Sequence, residues 1–172
     1  LDDKNILGGA TIYQNNDCFQ IDGTHTNYWL ENEIKKIKNI KNLTIKTRTS
    51  LAAYHGYNYL LAKENLTDHL SPDERKGKIR QRLWKIRAKK VIIATGSIER
   101  PLIFNNNDRP GIMLSSAIKK FIDFYGVKAG KEISLFTNND SAYETAISLK
   151  KSGVNIVSII DIRDKSSSKI VK

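Results

Sequence analysis

Lys90-Val91-Ile92-Ile93-Ala94-Thr95-Gly96-Ser97-Ile98-Glu99-Arg100-Pro101-Leu102-Ile103-Phe104-Asn105-Asn106-Asn107-Asp108-Arg109-Pro110-Gly111 is the stretch around which the chain of 172 residues is organised. Val91, Ile92 and Ile93 form a short apolar run, the pattern of a parallel strand buried on both faces. Ala94-Thr95-Gly96-Ser97 follows, and these small residues let the backbone leave the sheet and approach a bulky group closely. Ligands of open α/β sheets sit at the carboxyl ends of strands. Thr95 and Gly96 are therefore expected to face a ligand, in competition with the plainer reading of a buried strand ending in an ordinary turn.

Downstream, Pro110-Gly111 turns the chain and Ser115 or Ser116 is placed to cap a helix running to Tyr125. Gly126 and Gly130 lead into a β-α-β pattern. Its expected parts are a strand over Glu132–Phe136, a helix over Ser141–Lys151, and a strand over Val154–Ile160 ending at Asp161. The turn between the first strand and the helix reads Thr137-Asn138-Asn139-Asp140-Ser141-Ala142 and has none of the glycines of G-x-G-x-x-G. Side chains there obstruct a pyrophosphate and Asp140 repels it, so this unit is expected to be a degenerate nucleotide site. A polar tail with Ser166-Ser167-Ser168 follows, and the unit is expected to be incomplete within this chain.

Upstream, Leu43-Thr44-Ile45-Lys46-Thr47 alternates as a strand does, after a helix expected from Thr24 or Thr26 to about Lys38 with Tyr28, Trp29, Ile34 and Ile37 inward. Residues 54–87 read as an antiparallel meander with a turn at Gly56-Tyr57-Asn58 and a polar loop over Leu66–Lys78. Trp84 and Ile86 lie on the return strand. Ala10–Asp22 is polar and irregular. The opening Leu1-Asp2-Asp3-Lys4-Asn5-Ile6-Leu7-Gly8-Gly9 admits two readings. One is a solvated terminus before a Gly-Gly turn. The other is the end of the second strand of a nucleotide-binding βαβ unit, whose acidic residue accepts hydrogen bonds from ribose hydroxyls.

Three stretches together resemble one family. They are Gln81-Arg82-Leu83-Trp84-Lys85-Ile86-Arg87-Ala88-Lys89, Ala94–Leu114 and Phe136-Thr137-Asn138-Asn139-Asp140-Ser141-Ala142-Tyr143. The first part of the second stretch is similar to the "ATG" segment of flavoproteins with two dinucleotide-binding domains. Its continuation through Asn106-Asn107-Asp108-Arg109-Pro110-Gly111, with the other two stretches, resembles the α subunit of heterotetrameric sarcosine oxidase. The family shares the glycine-free second turn.

The resemblance implies an α/β, Rossmann-like FAD/NAD(P)-binding fold with an inserted β-meander at about residues 50–88. Residues 1–112 would be the remainder of a first dinucleotide-binding domain lacking its Gly-rich loop, and residues 113–172 the start of a second, degenerate one. The chain is then expected to be an internal fragment of a larger subunit. The family oxidises sarcosine to glycine, with hydrogen peroxide and a folate-bound one-carbon unit as further products. Carried over, Asp2 and Asp3 are ribose acceptors and Lys4 flanks the adenosine. Gly8, Gly9 and Ala10 pass close to NAD, Leu51 meets the adenine edge, and Thr95 and Gly96 belong to the same cofactor site. The resemblance further implies FAD in a partner β subunit, FMN at the interface, smaller subunits, and folate in a downstream domain. It implies no catalytic residue within this stretch and a structural NAD. Two alternatives stay open: an NAD(P)H-dependent flavin reductase of the disulfide-reductase type, and a non-catalytic nucleotide-binding scaffold module.

Composition narrows the classes. Apolar residues at 40% and charged residues at 27% are ordinary for a globular chain with room for a core. The net charge of +11 is scattered along the sequence rather than gathered into a nucleic-acid-binding block, so no nucleic-acid partner is expected. Neither a membrane span nor a signal peptide is visible, which suits a cytoplasmic location. Cys18 is the single cysteine, which excludes an internal disulfide and a redox-active pair. His25, His55 and His69 lack metal-ligand spacing, so no metal site is expected.

Overall fold

A computed structural model describes residues 1–13 and 20–164. Cys18 and Ser166–Ser168 lie outside the described residues. The chain forms two compact units, Leu1–Gly9 with Tyr28–Gly96, and Ala10–Asn27 with the residues from Ser97 onward. This grouping reflects packing and is not the same division as dinucleotide-binding halves at 1–112 and 113–172.

Within the segment expected to be irregular, Gly9–Tyr13 forms a 3-10 turn, and Gln20–Ile21 (β1) pairs antiparallel with Thr24–His25 (β2). Helix α1 follows over Thr26–Lys38, as the periodicity predicts. Its expected inward face is only half right. Trp29 and Ile34 are half-buried, but Tyr28 is 61% exposed and Ile37 is at the surface. Those four positions spread too widely around a helix of 3.6 residues per turn to share one stripe.

The predicted meander is present as a sheet of Thr49–His55 (β3), Tyr59–Asn65 (β4) and Gln81–Arg87 (β5), antiparallel throughout with β4 central. The hairpin turn falls at Gly56-Tyr57-Asn58, where Tyr57 and Asn58 both take positive φ, as a tight hairpin turn demands. On β4 the alternation puts Leu60, Ala62 and Glu64 on the covered face. Glu64 is a carboxylate in an apolar row, and it is satisfied there. Its oxygens accept from Trp84 Nε1 at 2.7 Å and Lys46 Nζ at 3.4 Å, and Arg82 lies 3.6 Å away. The Trp84 hydrogen bond, with the two cations, outweighs desolvation and holds the carboxyl below the usual range. Lys46 also stands 4.5 Å over the Trp84 ring, so one cation serves both partners.

Two expectations in this unit are corrected. The polar loop over Leu66–Lys78 contains a short helix, Pro72–Arg75 (α2), started by a reciprocal capping box between Ser71 and Glu74. More consequential, Val91–Ile93 is not a strand buried on both faces. The run carries no ladder pairing, and Ile92 and Ile93 are 91% and 72% exposed. An apolar run states a propensity to be covered, but a strand needs a neighbour to pair with, and the described residues offer none there. Leu43–Thr47 likewise stays outside the ladders, although its end is hydrogen-bonded to the chain start.

In the second unit Ser115–Asp123 (α3) packs beside Glu132–Thr137 (β6), Ser141–Lys151 (α4) and Asn155–Asp161 (β7). Strands β6 and β7 are parallel, as a β-α-β crossover requires. Ile118, Leu135, Ala146, Leu149 and Val154 form the core, with Ile122, Ile133 and Ile156 packed against it. Helix α3 ends two residues earlier than expected, and neither serine caps it by its side chain. Leu114 is the N-cap, and Glu99 accepts from Ser115 N (3.2 Å), Ser115 Oγ (3.2 Å) and Ser116 N (2.7 Å). Burial raises the Glu99 pKa, but these bonds outweigh it and hold the carboxyl below the ordinary value. A carboxylate at a helix N-terminus also meets the positive end of the helix dipole.

Candidate functional site

The expected cofactor residues at the chain start are fixed by backbone pairing with the segment before β3. Asp2 N donates to Lys46 O at 2.8 Å, Thr49 N donates to Asp2 O at 2.8 Å, and Arg48 N donates to Lys4 O at 2.7 Å. Asp2-Asp3-Lys4 is thus held beside Arg48 rather than trailing into solvent, although residues 1–8 form no strand. The two acidic residues are not equivalent. Asp2 is half-buried and its Oδ1 accepts from Lys4 N at 2.9 Å, shaping the turn. Asp3 is exposed, and its Oδ2 meets Lys4 Nζ at 2.8 Å.

Asp3, Lys4, Asn5, Arg48 and Asn65 line an open depression of about 220 Å³. Sequence reasoning found Asp3 and Lys4 but missed Asn5, Arg48 and Asn65. Arg48 reads in sequence as one more scattered cation. Its special position comes from a left-handed backbone, φ +52°, held by hydrogen bonds from its own N to Lys4 O and from Asn65 N to its O at 2.9 Å. For an ordinary side chain that conformation costs on the order of 1 kcal/mol. The signal was Asn65 at the end of β4, opposite the entry of β3.

The remaining expected residues do not line the depression. Gly8 and Gly9 take φ of +128° and +56°, and a Cβ on Gly9 would meet nothing within 4 Å. Ala10 is exposed and begins the segment that belongs to the second unit. Leu51 is on β3 beside a register shift and 48% exposed. Thr95 is exposed, and Gly96 has φ +70° with open space about it.

The second strand-turn-helix is built differently. Thr137 Oγ1 donates to Asn139 O and accepts from Asn139 N, and Asn139 Oδ1 accepts from Ser141 N, so side chains fill the turn. Arg163 Nη2 lies 2.7 Å from both Asp140 Oδ1 and Asp161 Oδ2. Tyr143 OH donates to Asp161 Oδ2 at 3.0 Å. Asp161 is the acidic strand end where a nucleotide ribose would be recognised, and Arg163 has claimed it. Its hydrogen bonds from Arg163 outweigh desolvation and depress the Asp161 carboxyl well below the aspartate range. Among the described residues no group of His, Cys, Asp and Glu is arranged to hold a metal ion, and no helix is long and apolar enough to cross a membrane.

Fold comparison concerns the architecture. The α/β arrangement resembles the crystal structure of L-proline dehydrogenase from P. horikoshii, with TM-score 0.70 and 21% identity over 98% of this chain and 31% of that one. At that identity the likeness concerns the fold. Sequence comparison is more particular: the chain is similar to sarcosine oxidase subunit alpha from three sources. Identity is 40% over 144 residues with Corynebacterium sp. (strain P-1), 36% over 167 with Corynebacterium sp. (strain U-96) and 32% over 163 with Rhizobium meliloti (strain 1021). These matches cover 84%, 97% and 95% of this chain, but it spans only 15%, 17% and 16% of those relatives. No family model matches.

Proposed function

We propose that the chain is a nucleotide-binding portion of a sarcosine oxidase α subunit, an oxidoreductase of several subunits, and that its first unit holds the adenosine end of NAD. The observation that carries this is the acidic stretch Asp2-Asp3-Lys4, tied into the fold beside Arg48, in a chain that is similar to that subunit over most of this chain's length. Asp3 accepts from the ribose hydroxyls, Asp2 holds the turn through Lys4 N, and Lys4 flanks the adenosine. Gly8, Gly9, Leu51, Thr95 and Gly96 provide close backbone approach. NAD is a structural cofactor in this reading, which would supply binding energy to the assembly. The amine is oxidised at FAD on a β subunit, with FMN between subunits and folate bound in a downstream domain, in the cytoplasm. The two-dinucleotide-domain architecture belongs to the same reading, with the second site closed by Arg163.

A carboxylate accepting from ribose hydroxyls makes charge-assisted bonds of roughly 1.5–3 kcal/mol each. Asp3→Ala in the assembled enzyme should therefore weaken NAD retention roughly tenfold to a hundredfold, and Asp2→Ala less. The measurement is NAD content after gel filtration, with oxygen uptake on sarcosine alongside. Turnover should fall much less than NAD content. Full NAD content in both variants would remove the pair from the site.

A further inference from the structure

The depression beside Asp3 is lined by a cation, Arg48, with one nitrogen unpaired among the described residues. The Nε of Arg48 is shut off from water and has no hydrogen-bond partner among the described residues. The ion pairs on this unit use Lys4, Lys36, Lys46, Arg80 and Arg82, and each of those cations has a carboxylate within reach. A guanidinium half stripped of water and matched by no such partner is costly, because a donor loses its water bonds and gains nothing for them. The cost is sustained by the backbone: two hydrogen bonds, Arg48 N to Lys4 O and Asn65 N to Arg48 O, tie the three residues together while Arg48 keeps a left-handed φ. Arg48 is thereby held in the wall of the depression.

The lining says what the depression would take. Beside the guanidinium stand the Lys4 ammonium and the Asn5 and Asn65 amides. Asn65 Oδ1 already accepts from Gln81 Nε2 at 2.9 Å, which fixes its amide. The one anion in the lining, Asp3, is engaged with Lys4. Donors and positive charge therefore dominate. An arginine fork beside a lysine and amides is matched by a tetrahedral oxyanion, to which charge-assisted bonds are the strong ones. We propose that Arg48, with Lys4 and Asn65, forms a phosphate-binding site. The phosphate has two possible sources: the 2′-phosphate of an adenosine seated at Asp3, or a separate phosphate anion. The site goes beyond the NAD reading, since NAD carries no phosphate at that hydroxyl.

The test is titration of the full chain, followed by amide resonances of Lys4, Thr49 and Asn65. The probes are inorganic phosphate, 2′-AMP and 5′-AMP, for the unaltered protein and for Arg48→Gln, Arg48→Lys and Lys4→Gln. Phosphate and 2′-AMP should shift those resonances, and Arg48→Gln should weaken both by roughly tenfold or more, with partial recovery in Arg48→Lys. Tighter binding of 2′-AMP than of either other probe assigns the phosphate to the nucleotide. Equal affinity for phosphate and 2′-AMP assigns it to a free anion. Either pattern upholds the site. Absence of any shift with phosphate and 2′-AMP, or Arg48→Gln titrating like the unaltered protein, overturns it. Lys4→Gln decides the matter should the Arg48 variants not fold, because only the Lys4 backbone is used in the pairing. Binding of 5′-AMP without phosphate binding leaves the NAD reading standing alone. Phosphate binding without 5′-AMP binding does the reverse.

Discussion

Arg48 and Arg163 each stand at a polar strand end of their own unit, and each has acidic residues close by in sequence or space. Arg163 is met by Asp140 and Asp161 at 2.7 Å, and Tyr143 completes the second carboxylate. Arg48 has an unmet Nε and faces an open depression. The difference is instructive. A cluster that closes on itself contributes to the stability of its own unit and has little left to offer a ligand. A cluster held short of satisfaction by the backbone contributes little to folding and has bonds in reserve.

The scaffold under the closed cluster gives the largest expected effect. Leu149 is fully buried between α4 and the β6–β7 pair, so Leu149→Ala should cost about 2–5 kcal/mol. Hydrogen exchange at β6 and β7 should accelerate accordingly, and unchanged protection there would mean that this core does not support the cluster. Next comes Arg163→Ala, which leaves Asp140 and Asp161 near each other without their cation. Its melting temperature at neutral pH should fall by a clear margin. The sign with pH follows from the depressed Asp161 carboxyl. In the unaltered protein its contribution is fully present above the ordinary aspartate pKa and is lost as pH falls through the depressed value. The variant should therefore lie furthest below the unaltered protein near neutrality and converge with it in acid. A gap that widens on acidification would refute the closed-cluster account. The smallest effect is expected for Arg48→Gln, whose stability should stay within about 0.5 kcal/mol of the unaltered protein by urea denaturation. A loss as large as that of Arg163→Ala would erase the distinction between the clusters.

The β-α-β of the second unit and the β3–β5 meander were readable because their signals are local. Helical or alternating periodicity, with a turn at Gly56-Tyr57-Asn58, decides such elements within a few residues. The capping box of α2 was equally local, since Ser71-Pro72-Asp73-Glu74 is its signature, but it was passed over inside a polar loop. Val91–Ile93 shows the other kind of failure, because whether an apolar run becomes a strand is settled by a distant partner. Of the depression's lining, Asp3 and Lys4 were named through the resemblance, while the glycines lie outside it. Arg48 was not, for its significance lies in hydrogen bonds to Lys4 and Asn65 that no sequence spacing announces. Arg163 was missed for the same reason: it follows Asp161 by two residues and looks like a solvated charge after a strand.

The uncovered isoleucines bear on how the isolated polypeptide behaves in a tube. Val91-Ile92-Ile93-Ala94-Thr95 is β-prone, uncharged and free of proline, and carries no ladder pairing within the chain's described residues. Lys89 and Lys90 directly before it act as gatekeepers, since copies that pair there bring like charges together. That protection is electrostatic and weakens as the Debye length shrinks, to about 3 Å at molar salt. Association of the chain should accordingly grow with ionic strength. Low salt is the condition in which this protein is best kept in solution as single molecules.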